Sequence, residues 1–531
     1  MTRNPHSQTN NDHGRACILN KLQLCHRGVL FILLIMATAC TTLGPEYKEP
    51  EVTWLNDWQP DFYGLSNNTQ QATQDLRFWW LLFDDPVLNE LITMARRDNP
   101  SLRIAGLRIL ESRAALGMAN STSLPQLQQL GASVTGISTN NHGGISDGSS
   151  ENLAAYQSAF SIGWELDFWG RFRRGIESAD AIFLSSITAH QDLQVLLTAQ
   201  AADLYFSYRT IQHRIKIAHL NSTRQQRSFA ITEKLFAAGQ GSELDLQQAK
   251  TQYLATRSTI PDLEGKLIQV RNALAALLGR PPGLIPELAG EGGDLPDIDT
   301  LIINEVPTRL LLRRPDIRSA AWRVAAQSAQ IGLAKADYYP AISLLGSLGW
   351  SGNSVSASAD TGQLIAGPSL SWNVFDQGRI RNNVRLQDAR LQQSIEAFQN
   401  TVLLAAREID DAAVIVVKTA EQQIILEETL IAAERSLELA NIRYREGYAD
   451  FQRVLDAQRS LLSQADRQLA IQGIHLSAII QMYKALGGGW AEISEESIVP
   501  EETQQQMRNR TDWGNLLEAQ LPAPNSRQRP E

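Results

Sequence analysis

The eight residues WELDFWGR at positions 164–171 recur as WNVFDQGR at positions 372–379, with the tryptophan and the Gly-Arg pair in register. The same separation of 208 residues relates Gly239 to Gly447. A single separation that persists this far along a chain indicates an internal repeat rather than a chance match. The sequence therefore predicts one structural unit that is present twice.

The two copies differ in length at one place. Pro100 and Pro315 are separated by 215 residues, so the first copy has seven additional residues downstream of them. These fall within Asn140–Glu151, a stretch rich in glycine, serine and asparagine that is typical of a surface loop. The predicted domains are a signal peptide at 1–39, the first repeat with its linker at 40–300, the second repeat at 301–490 and a polar, mobile tail at 491–531.

Short segments on both sides of each loop alternate in hydrophobicity, which predicts β-strands. The clearest alternation places Phe160, Ile162 and Trp164 on one face. A soluble sheet with one solvent-exposed face shows this pattern. The wall of a membrane barrel also shows it, because such a wall is apolar towards lipid and polar towards the lumen. Aromatic residues at both ends of the second strand favour the barrel. The predicted strands are 130–138, 156–168, 342–351 and 369–375.

The remaining segments of each copy are predicted to be helices, and two of them are unusually long. No proline occurs between Gly170 and Gly239 or between Gly378 and Gly447, and apolar residues follow a heptad-like spacing there. At 1.5 Å per residue such helices reach about 100 Å, a length typical of coiled coils. The predicted helices are 86–123, 170–238 and 243–278 in the first copy, and 315–338, 378–446 and 451–486 in the second.

The N-terminal segment 1–39 has the features of a secretory signal. Its apolar core, Gly28–Ala39, is shorter than the ~20 residues of a membrane-spanning helix and ends in small residues before Cys40. Standard signal cleavage would leave this cysteine incidental, whereas a lipoprotein signal would make it the modified first residue. We favour the lipoprotein, with N-palmitoyl and S-diacylglycerol groups on Cys40, because residues 41–45 form a polar linker typical of such anchors. Thr41, rather than an aspartate, favours sorting to the outer membrane.

Composition and motifs exclude several function classes. The formal net charge is −9, with 48 basic and 57 acidic residues and no basic block, which argues against binding of nucleic acid. Three cysteines make neither a disulfide framework nor the paired spacing of a zinc site. P-loop, HExxH, GxSxG and Rossmann glycine patterns do not occur, and the eight histidines have no ligand spacing. We therefore expect no enzymatic activity, no metal and no cofactor other than the covalent lipid.

Several motifs together are specific to one family: Phe78-Trp79-Trp80, Phe83-Asp84-Asp85-Pro86, Asn99-Pro100-Ser101-Leu102, Leu312-Arg313-Arg314-Pro315-Asp316-Ile317, Trp372-Asn373-Val374-Phe375-Asp376, Gly378-Arg379 and Leu455-Asp456-Ala457-Gln458. With them the chain resembles the TolC-like outer-membrane efflux proteins. Within that family it resembles the lipoprotein branch, the OprM/NodT-like outer-membrane factors of tripartite efflux systems. The likeness extends from Cys40 to Trp490 and includes the duplication.

The resemblance implies a mainly α-helical fold with a small β part. Long coiled-coil helices would form a periplasmic tunnel, and four strands per chain would contribute to a shared twelve-stranded β-barrel in a homotrimer. It implies that the chain is the exit duct of an efflux pump in the bacterial outer membrane, served by a periplasmic adaptor (membrane fusion) protein and an inner-membrane pump. The lipid anchor favours a pump of the resistance-nodulation-division type. The sequence leaves open whether the substrates are drugs, solvents, metal ions or aromatic acids.

In this family the inner helical hairpins close the periplasmic end of the tunnel. By the resemblance, Asp456 is a gate aspartate near the three-fold axis, and Arg443 and Tyr444 tie neighbouring coils. Carboxylates around one axis repel each other, while arginine–aspartate pairs add modest energy. Arg453 stands where some relatives have a second aspartate, which changes the charge at the constriction. Asp245 on the first hairpin is either a partner of these residues or part of a solvated face.

Two other functions remain open on the sequence alone. The outer-membrane component of a type I protein secretion system would have the same architecture but usually lacks the lipid anchor. A lipid-anchored periplasmic coiled-coil scaffold would explain the long helices but not the alternating strands.

Overall fold

The computed structural model describes residues 42–58, 62–65, 76–139, 151–290, 293–298, 311–352, 361–490, 498–518 and 521–522. The predicted signal peptide, the predicted lipidation site Cys40 and most of the predicted surface loop lie outside these residues. The described chain is mainly helical with four strands, which confirms the predicted mainly α-helical fold with a small β part.

The elements occur in the same order in both copies of the repeat. The first copy has α1 (Pro86–Asp98), α2 (Pro100–Ser121), β1 (Leu127–Thr139), β2 (Glu151–Glu165), α3 (Arg171–Ala237) and α4 (Glu243–Leu277). The second has α5 (Pro315–Ala336), β3 (Ala341–Gly352), β4 (Thr361–Ser371), α6 (Arg379–Arg445) and α7 (Phe451–Ala485), and α8 (Glu501–Arg510) follows it. α2 and α5 each have 22 residues, α3 and α6 each have 67, and α4 and α7 each have 35. The duplication is therefore preserved in the lengths of the helices.

These elements fall into two compact units. The sheet unit comprises Met1–Glu49, Ser112–Phe183 and Trp322–Ile395, and the helical unit comprises Pro50–Glu111, Leu184–Ala321 and Glu396–Glu531. Four helices, α2, α3, α5 and α6, contribute residues to both units.

The sheet unit contains one antiparallel sheet in the order β1-β2-β3-β4. Its register aligns large apolar residues on one face: Leu130, Phe160, Leu348 and Leu364. The next row, on the opposite face, has small or polar residues: Gly131, Ala159, Gly349 and Gln363. Leu130 and Leu364 are each 76% exposed, so no other described part of the chain covers the apolar face at these positions. The sheet thus has one face that is mainly apolar and bare at these positions. Small and polar residues predominate on the other face, which also has Leu345 and Ile365.

The fourth strand lies closer to the N-terminus than predicted. The sequence predicts it at 369–375, whereas it spans Thr361–Ser371. Its last residue pairs with Ala341, and Pro340 before that has no amide hydrogen with which to continue the ladder. Two glycines and Pro368 within the strand hide its alternation from a sequence pattern.

The second strand is displaced in the same direction. It spans Glu151–Glu165 against a predicted 156–168. Asp167 accepts hydrogen bonds from the backbone N–H groups of Phe172 (3.1 Å) and Arg173 (3.0 Å), so the residues after Glu165 cap α3 instead of extending the strand.

The helix predicted at 86–123 is two helices. Asn99 has extended backbone angles (φ −64°, ψ 123°), and its side chain accepts from the N–H of Ser101 at 2.8 Å. Its amide nitrogen also donates to the carbonyl of Leu277 at 2.8 Å. Pro100 disfavours helical angles at the residue before it and suits the first position of the next helix. The Asn-Pro pair therefore ends α1 and begins α2.

The prediction of a mobile tail is wrong for residues 498–518. This segment contains α8 and buries Val499, Met507 and Leu517. The carbonyl oxygen of Ile498 lies where a side chain at Gly106 would lie, so the tail packs directly against α2. Its apolar residues are too sparse to form a periodic pattern, which is why the sequence did not reveal them.

A segment at the N-terminal end of the described chain is fixed to the sheet unit. Leu43 donates its N–H to the carbonyl of Trp169 (3.2 Å) and accepts from Nε of Arg174 (2.9 Å). Gly44, with φ of +97°, crosses Gly332 of α5 so closely that neither position has room for a side chain. We call residues 42–47 the strap.

No helix of the described residues combines the length and the apolar character that crossing a membrane requires.

Gly332 and Gly117 occupy equivalent positions of the repeat and allow a controlled test of the strap. A Cβ at Gly332 would overlap Leu43 O and the Arg174 side chain, whereas a Cβ at Gly117 has no atom within 4 Å. We expect Gly332→Ala to lower the free energy of unfolding by about 1–3 kcal/mol because the strap must move. Gly117→Ala should leave it unchanged or raise it by up to ~1 kcal/mol. Urea denaturation in detergent measures both, and equal effects of the two substitutions would contradict the packing described.

Candidate functional site

The two long hairpins of the helical unit, α3–α4 and α6–α7, end in the same kind of turn. After α6, the N–H of Tyr448 bonds to the carbonyl of Arg443 (2.8 Å) and the N–H of Gly447 bonds to that of Tyr444 (3.1 Å). This is a Schellman motif, which requires a residue with positive φ. Gly447 has φ of +76°, and Gly239 has φ of +70° at the equivalent place after α3. Glycine at these two positions therefore sets where both hairpins turn.

Tyr444 is half-buried at the turn of the second hairpin. Its ring centroid is 5.2 Å from that of Phe451, and it packs against a buried cluster formed by Ala249, Phe451, Val454 and Leu455. Burial, and then the negative charge of Asp245, raise the pKa of the Tyr444 phenol. The structure thus brings Tyr444 of the second hairpin close to Asp245 of the first.

Asp456 and its charged neighbours lie on the exposed side of α7. Asp456 accepts from Nε2 of Gln452 (3.0 Å), and its carboxylate is 3.7 Å from the Arg459 guanidinium. Arg443 and Arg453 are exposed, and neither forms an ion pair with a described residue. A single chain therefore does not bring Arg443 and Asp456 together, and their predicted roles stay predictions. Exposed ion pairs of this kind contribute about 0–1 kcal/mol each.

Hydrogen bonds and ion pairs connect the first hairpin to the second along their length. Nε2 of Gln252 on α4 donates to the carbonyl of Leu455 (3.3 Å). Further along, Arg214 on α3 forms a bidentate pair with Asp466 on α7, with distances of 2.7 and 2.9 Å. Displacing α7 relative to the first hairpin would break these contacts.

The structure also shows a buried ion network that the sequence did not predict. Arg314, only 8% exposed, forms a bidentate pair with Asp316 (3.1 and 2.9 Å) and bonds to Glu408 on α6 (3.0 Å). It also donates to the carbonyl of Ala485 at the end of α7 (2.6 Å). Arg314 therefore holds together the start of α5, the middle of α6 and the end of α7. The only signal in the sequence is an arginine directly before a Pro-Asp helix start.

Asp192 on α3 faces this network without a hydrogen bond or ion pair to any described residue. Burial, and then the charge of Asp316, raise the pKa of Asp192 to about 6. Glu408 raises it further, while Arg314 and Lys484 act in the opposite direction. At neutral pH the carboxyl group of Asp192 is therefore ionised, but its surroundings in the folded protein disfavour the charged form.

Replacing Asp192 with asparagine tests this interpretation. Between the ordinary aspartate pKa of 3.8 and about pH 6, the folded state binds a proton that the unfolded chain does not. The stability from this protonation is complete below pH 3.8 and is lost as the pH rises through about 6. We expect Asp192→Asn to raise the free energy of unfolding by about 1–3 kcal/mol near neutral pH and to change it little near pH 4.

The measurement is urea denaturation in detergent at both pH values. Glu233→Gln, which removes an exposed acid from the same helix, is the matched control. A loss of stability in Asp192→Asn near neutral pH would show that the ionised carboxylate is stabilising and would contradict the assignment.

Among the described residues, no group of three or more histidine, cysteine, aspartate or glutamate side chains is arranged to hold a metal ion.

Comparison with known proteins gives one consistent result. The profile of a family described as "Outer membrane efflux protein" matches residues 91–280 and 306–488. The probable outer membrane lipoprotein SilC of Salmonella typhimurium is 28% identical over 484 residues, covering 89% of this chain and 100% of that protein. Outer membrane protein OprJ of Pseudomonas aeruginosa is 30% identical over 484 residues, covering 88% of this chain and 96% of that protein. The solved structure of the outer-membrane channel OprN is similar with a TM-score of 0.77 and 34% identity, covering 85% of this chain and 100% of that one.

Proposed function

The chain belongs to the outer membrane efflux protein family, and from that membership we propose that it is the exit duct of a tripartite efflux pump. It lies in the bacterial outer membrane and passively conducts substrates delivered by its pump partners. We propose that the duct has no enzymatic activity of its own and no cofactor besides the lipid on Cys40. The absence of any nucleotide-binding or catalytic motif in the sequence supports this part of the proposal.

The observation that carries the proposal is the two-faced sheet. Its mainly apolar face suits lipid, and the other face, on which small and polar residues predominate, suits a water-filled lumen. β1 and β4 are its edges, and neither has a further strand among the described residues. Joining three such sheets edge to edge would give twelve strands and a closed barrel of a size seen in outer membranes. We therefore propose a homotrimer.

The hairpin turns are the proposed gate. In a trimer, Asp456 near the axis would place three exposed carboxylates close together, and Arg443 and Tyr444 would tie neighbouring coils. The exposed side of α7 and the proximity of Asp245 to Tyr444 support this assignment. Arg453 lies one turn before Asp456 and would reduce the net negative charge of the constriction.

The proposed partners are a periplasmic adaptor protein and an inner-membrane pump of the resistance-nodulation-division type. The lipid anchor at Cys40 supports this type of pump over a protein-secretion ATPase, and the lipoprotein description of SilC agrees with such an anchor. The inner-membrane partner, rather than the duct, would determine which substrate is transported.

Conductance in planar lipid bilayers tests the duct and its gate together. We expect the parent protein to give small, flickering conductance, because the hairpins close one end. Asp456→Ala combined with Arg443→Ala should raise the conductance several-fold by loosening the constriction. Arg435→Ala combined with Glu438→Ala removes an exposed ion pair (2.5 Å) from the same hairpin and should leave conductance unchanged.

Each outcome has a distinct meaning. Pores whose conductance does not change with the Asp456 and Arg443 substitutions would support the proposed duct but overturn the assignment of the gate. Folded trimer without any conductance would overturn the duct.

Extraction from outer membranes tests the duct against an anchored scaffold. The variant has Cys40→Ser and a signal peptide for unlipidated export. A duct would still need detergent for extraction, because its sheet remains in the lipid. Release by a high-salt or carbonate wash would instead support the scaffold. The parent, with Cys40 intact, is the control and should need detergent under either model.

A further inference from the structure

The strand-to-helix junctions of the two repeats differ in charge. The first junction is β2 to α3 and the second is β4 to α6, and both belong to the sheet unit. Three acidic residues of the first junction have equivalents, 208 residues later, that are not acidic. Glu165 corresponds to Asn373, Asp167 to Phe375 and Glu177 to Arg385.

In the first junction every arginine at the start of the helix has a carboxylate partner. The pairs are Arg171 with Glu165 (3.6 Å) and Asp337 (3.7 Å), Arg173 with Asp167 (3.2 Å), and Arg174 with Glu177 (2.6 Å). The positive charge of this junction is therefore neutralised within the chain.

In the second junction three arginines, Arg379, Arg381 and Arg385, lack an ion-pair partner among the described residues, and Asp376 acts on Arg379 only through its charge. Arg381 and Arg385 are exposed and form no ion pair with any described residue. They are four residues apart on α6, so they lie on one side of the helix and repel each other. Asp376 is the only acid between residues 373 and 385, and it accepts from the N–H groups of Gly378 (3.0 Å) and Ile380 (2.5 Å) as the cap of α6. The two arginines have no carboxylate within ion-pair distance among the described residues, and the next acid along α6 is Asp388.

Large apolar side chains are exposed immediately before these arginines. Trp372 is 54% exposed, Val374 is 60% exposed and Phe375 is 94% exposed. Phe375 stands where the first junction has the acid that binds Arg173. The second junction thus presents an apolar patch beside an unneutralised positive patch at the end of a strand.

We propose that the β4–α6 junction binds the phosphate headgroup of an anionic membrane phospholipid. Arg381 and Arg385 contact the phosphate, and Val374 and Phe375 contact the adjoining acyl region. Arginine recognises phosphate through paired N–H donors, and aromatic residues favour the boundary between lipid and water. The inference rests on the proposed function, which places the sheet in the membrane and this junction at its periplasmic boundary.

Charge complementarity favours a lipid over a second copy of the chain. Closing the sheet into a barrel would bring β1 of a neighbouring copy beside β4, and with it the segment 112–127 that precedes and begins β1. That segment contains Arg113 and no acidic residue, so it cannot neutralise Arg381 and Arg385. An anionic headgroup can.

The test compares two variants of the full-length, lipidated protein. Arg381→Gln combined with Arg385→Gln removes the proposed site. Arg173→Gln is the matched control, because Arg173 is the repeat equivalent of Arg381 and is already paired with Asp167. Each protein is reconstituted in nanodiscs of phosphatidylcholine, alone or with an equal part of phosphatidylglycerol. Native mass spectrometry then counts the phosphatidylglycerol molecules that remain on each trimer, and thermal melting gives the stabilisation by that lipid.

We expect the double variant to retain several-fold less phosphatidylglycerol than the parent and to lose the rise in melting temperature that this lipid gives. Arg173→Gln should behave as the parent. High salt should weaken the difference, because exposed charges are screened.

Equal retention in the double variant and the parent would overturn the inference. So would partial dissociation of the double variant into monomers while its remaining trimers retain as much phosphatidylglycerol as the parent, which would show that a second copy occupies the junction. Conductance recorded on the same preparations separates this result from a failure of the proposed function. Pores with equal lipid retention overturn only the lipid site, whereas folded trimer without pores overturns the duct on which it rests.

Discussion

A β-strand in lipid must pair each of its N–H and C=O groups with another strand, because hydrocarbon offers no other donor or acceptor. The sheet of this chain satisfies that requirement between β1 and β2, β2 and β3, and β3 and β4, but not at its two edges. The exposed leucines on its apolar face argue against an ordinary water-facing sheet. On the proposed function one chain is therefore an incomplete part of a barrel wall, and further copies of the chain pair its two edges.

The two copies of the repeat agree in the lengths and ends of their helices, and they differ in charge at their strand-to-helix junctions. Helix lengths agree residue for residue between the copies, because glycines at equivalent positions provide the positive φ that each turn needs. The helix starts also agree, with Pro100 and Pro315 in the first position of α2 and α5. The strand-to-helix junctions keep the tryptophan and the Gly-Arg pair but differ in charge, since Asp167 in one copy corresponds to Phe375 in the other. Such a replacement removes an ion pair and exposes a ring, so it reflects a difference in surroundings rather than in folding.

Local chemistry determined what could be predicted from the sequence. The long helices and their ends follow from glycine, proline and heptad spacing, all of which act within a few residues. The fourth strand was misplaced because Pro368 and two glycines interrupt its alternation, while Trp372 and Val374 continue that alternation after pairing has ended. The Asn99-Pro100 motif could be recognised in the sequence. The hydrogen bond from the Asn99 side chain to the carbonyl of Leu277, which helps to fix the boundary between α1 and α2, could not be predicted because Leu277 is distant in sequence.

The candidate site shows the same limit. Gly447, Arg443 and Tyr444 were placed at the hairpin turn by their position in the repeat, and the structure has the turn there. The Arg314 network was missed because its members come from separate helices and no periodicity relates them. Contacts of Asp456 with another chain depend on assembly, so neither the sequence nor one copy of the fold determines them.

The two ends of α7 are held by contacts of different strength, and this difference bears on how a gate could move. At Ala485 the helix is bonded to the buried Arg314, which also binds α5 and α6. Breaking that contact would leave the buried guanidinium with one hydrogen-bond acceptor fewer, which is costly in a buried site. At Phe451 the helix is held by one small apolar cluster and by the hydrogen bond from Gln252 to the carbonyl of Leu455. A rotation of α7 is therefore most restrained at Ala485, and a small angular change about that end gives the largest displacement at the turn, near Asp456.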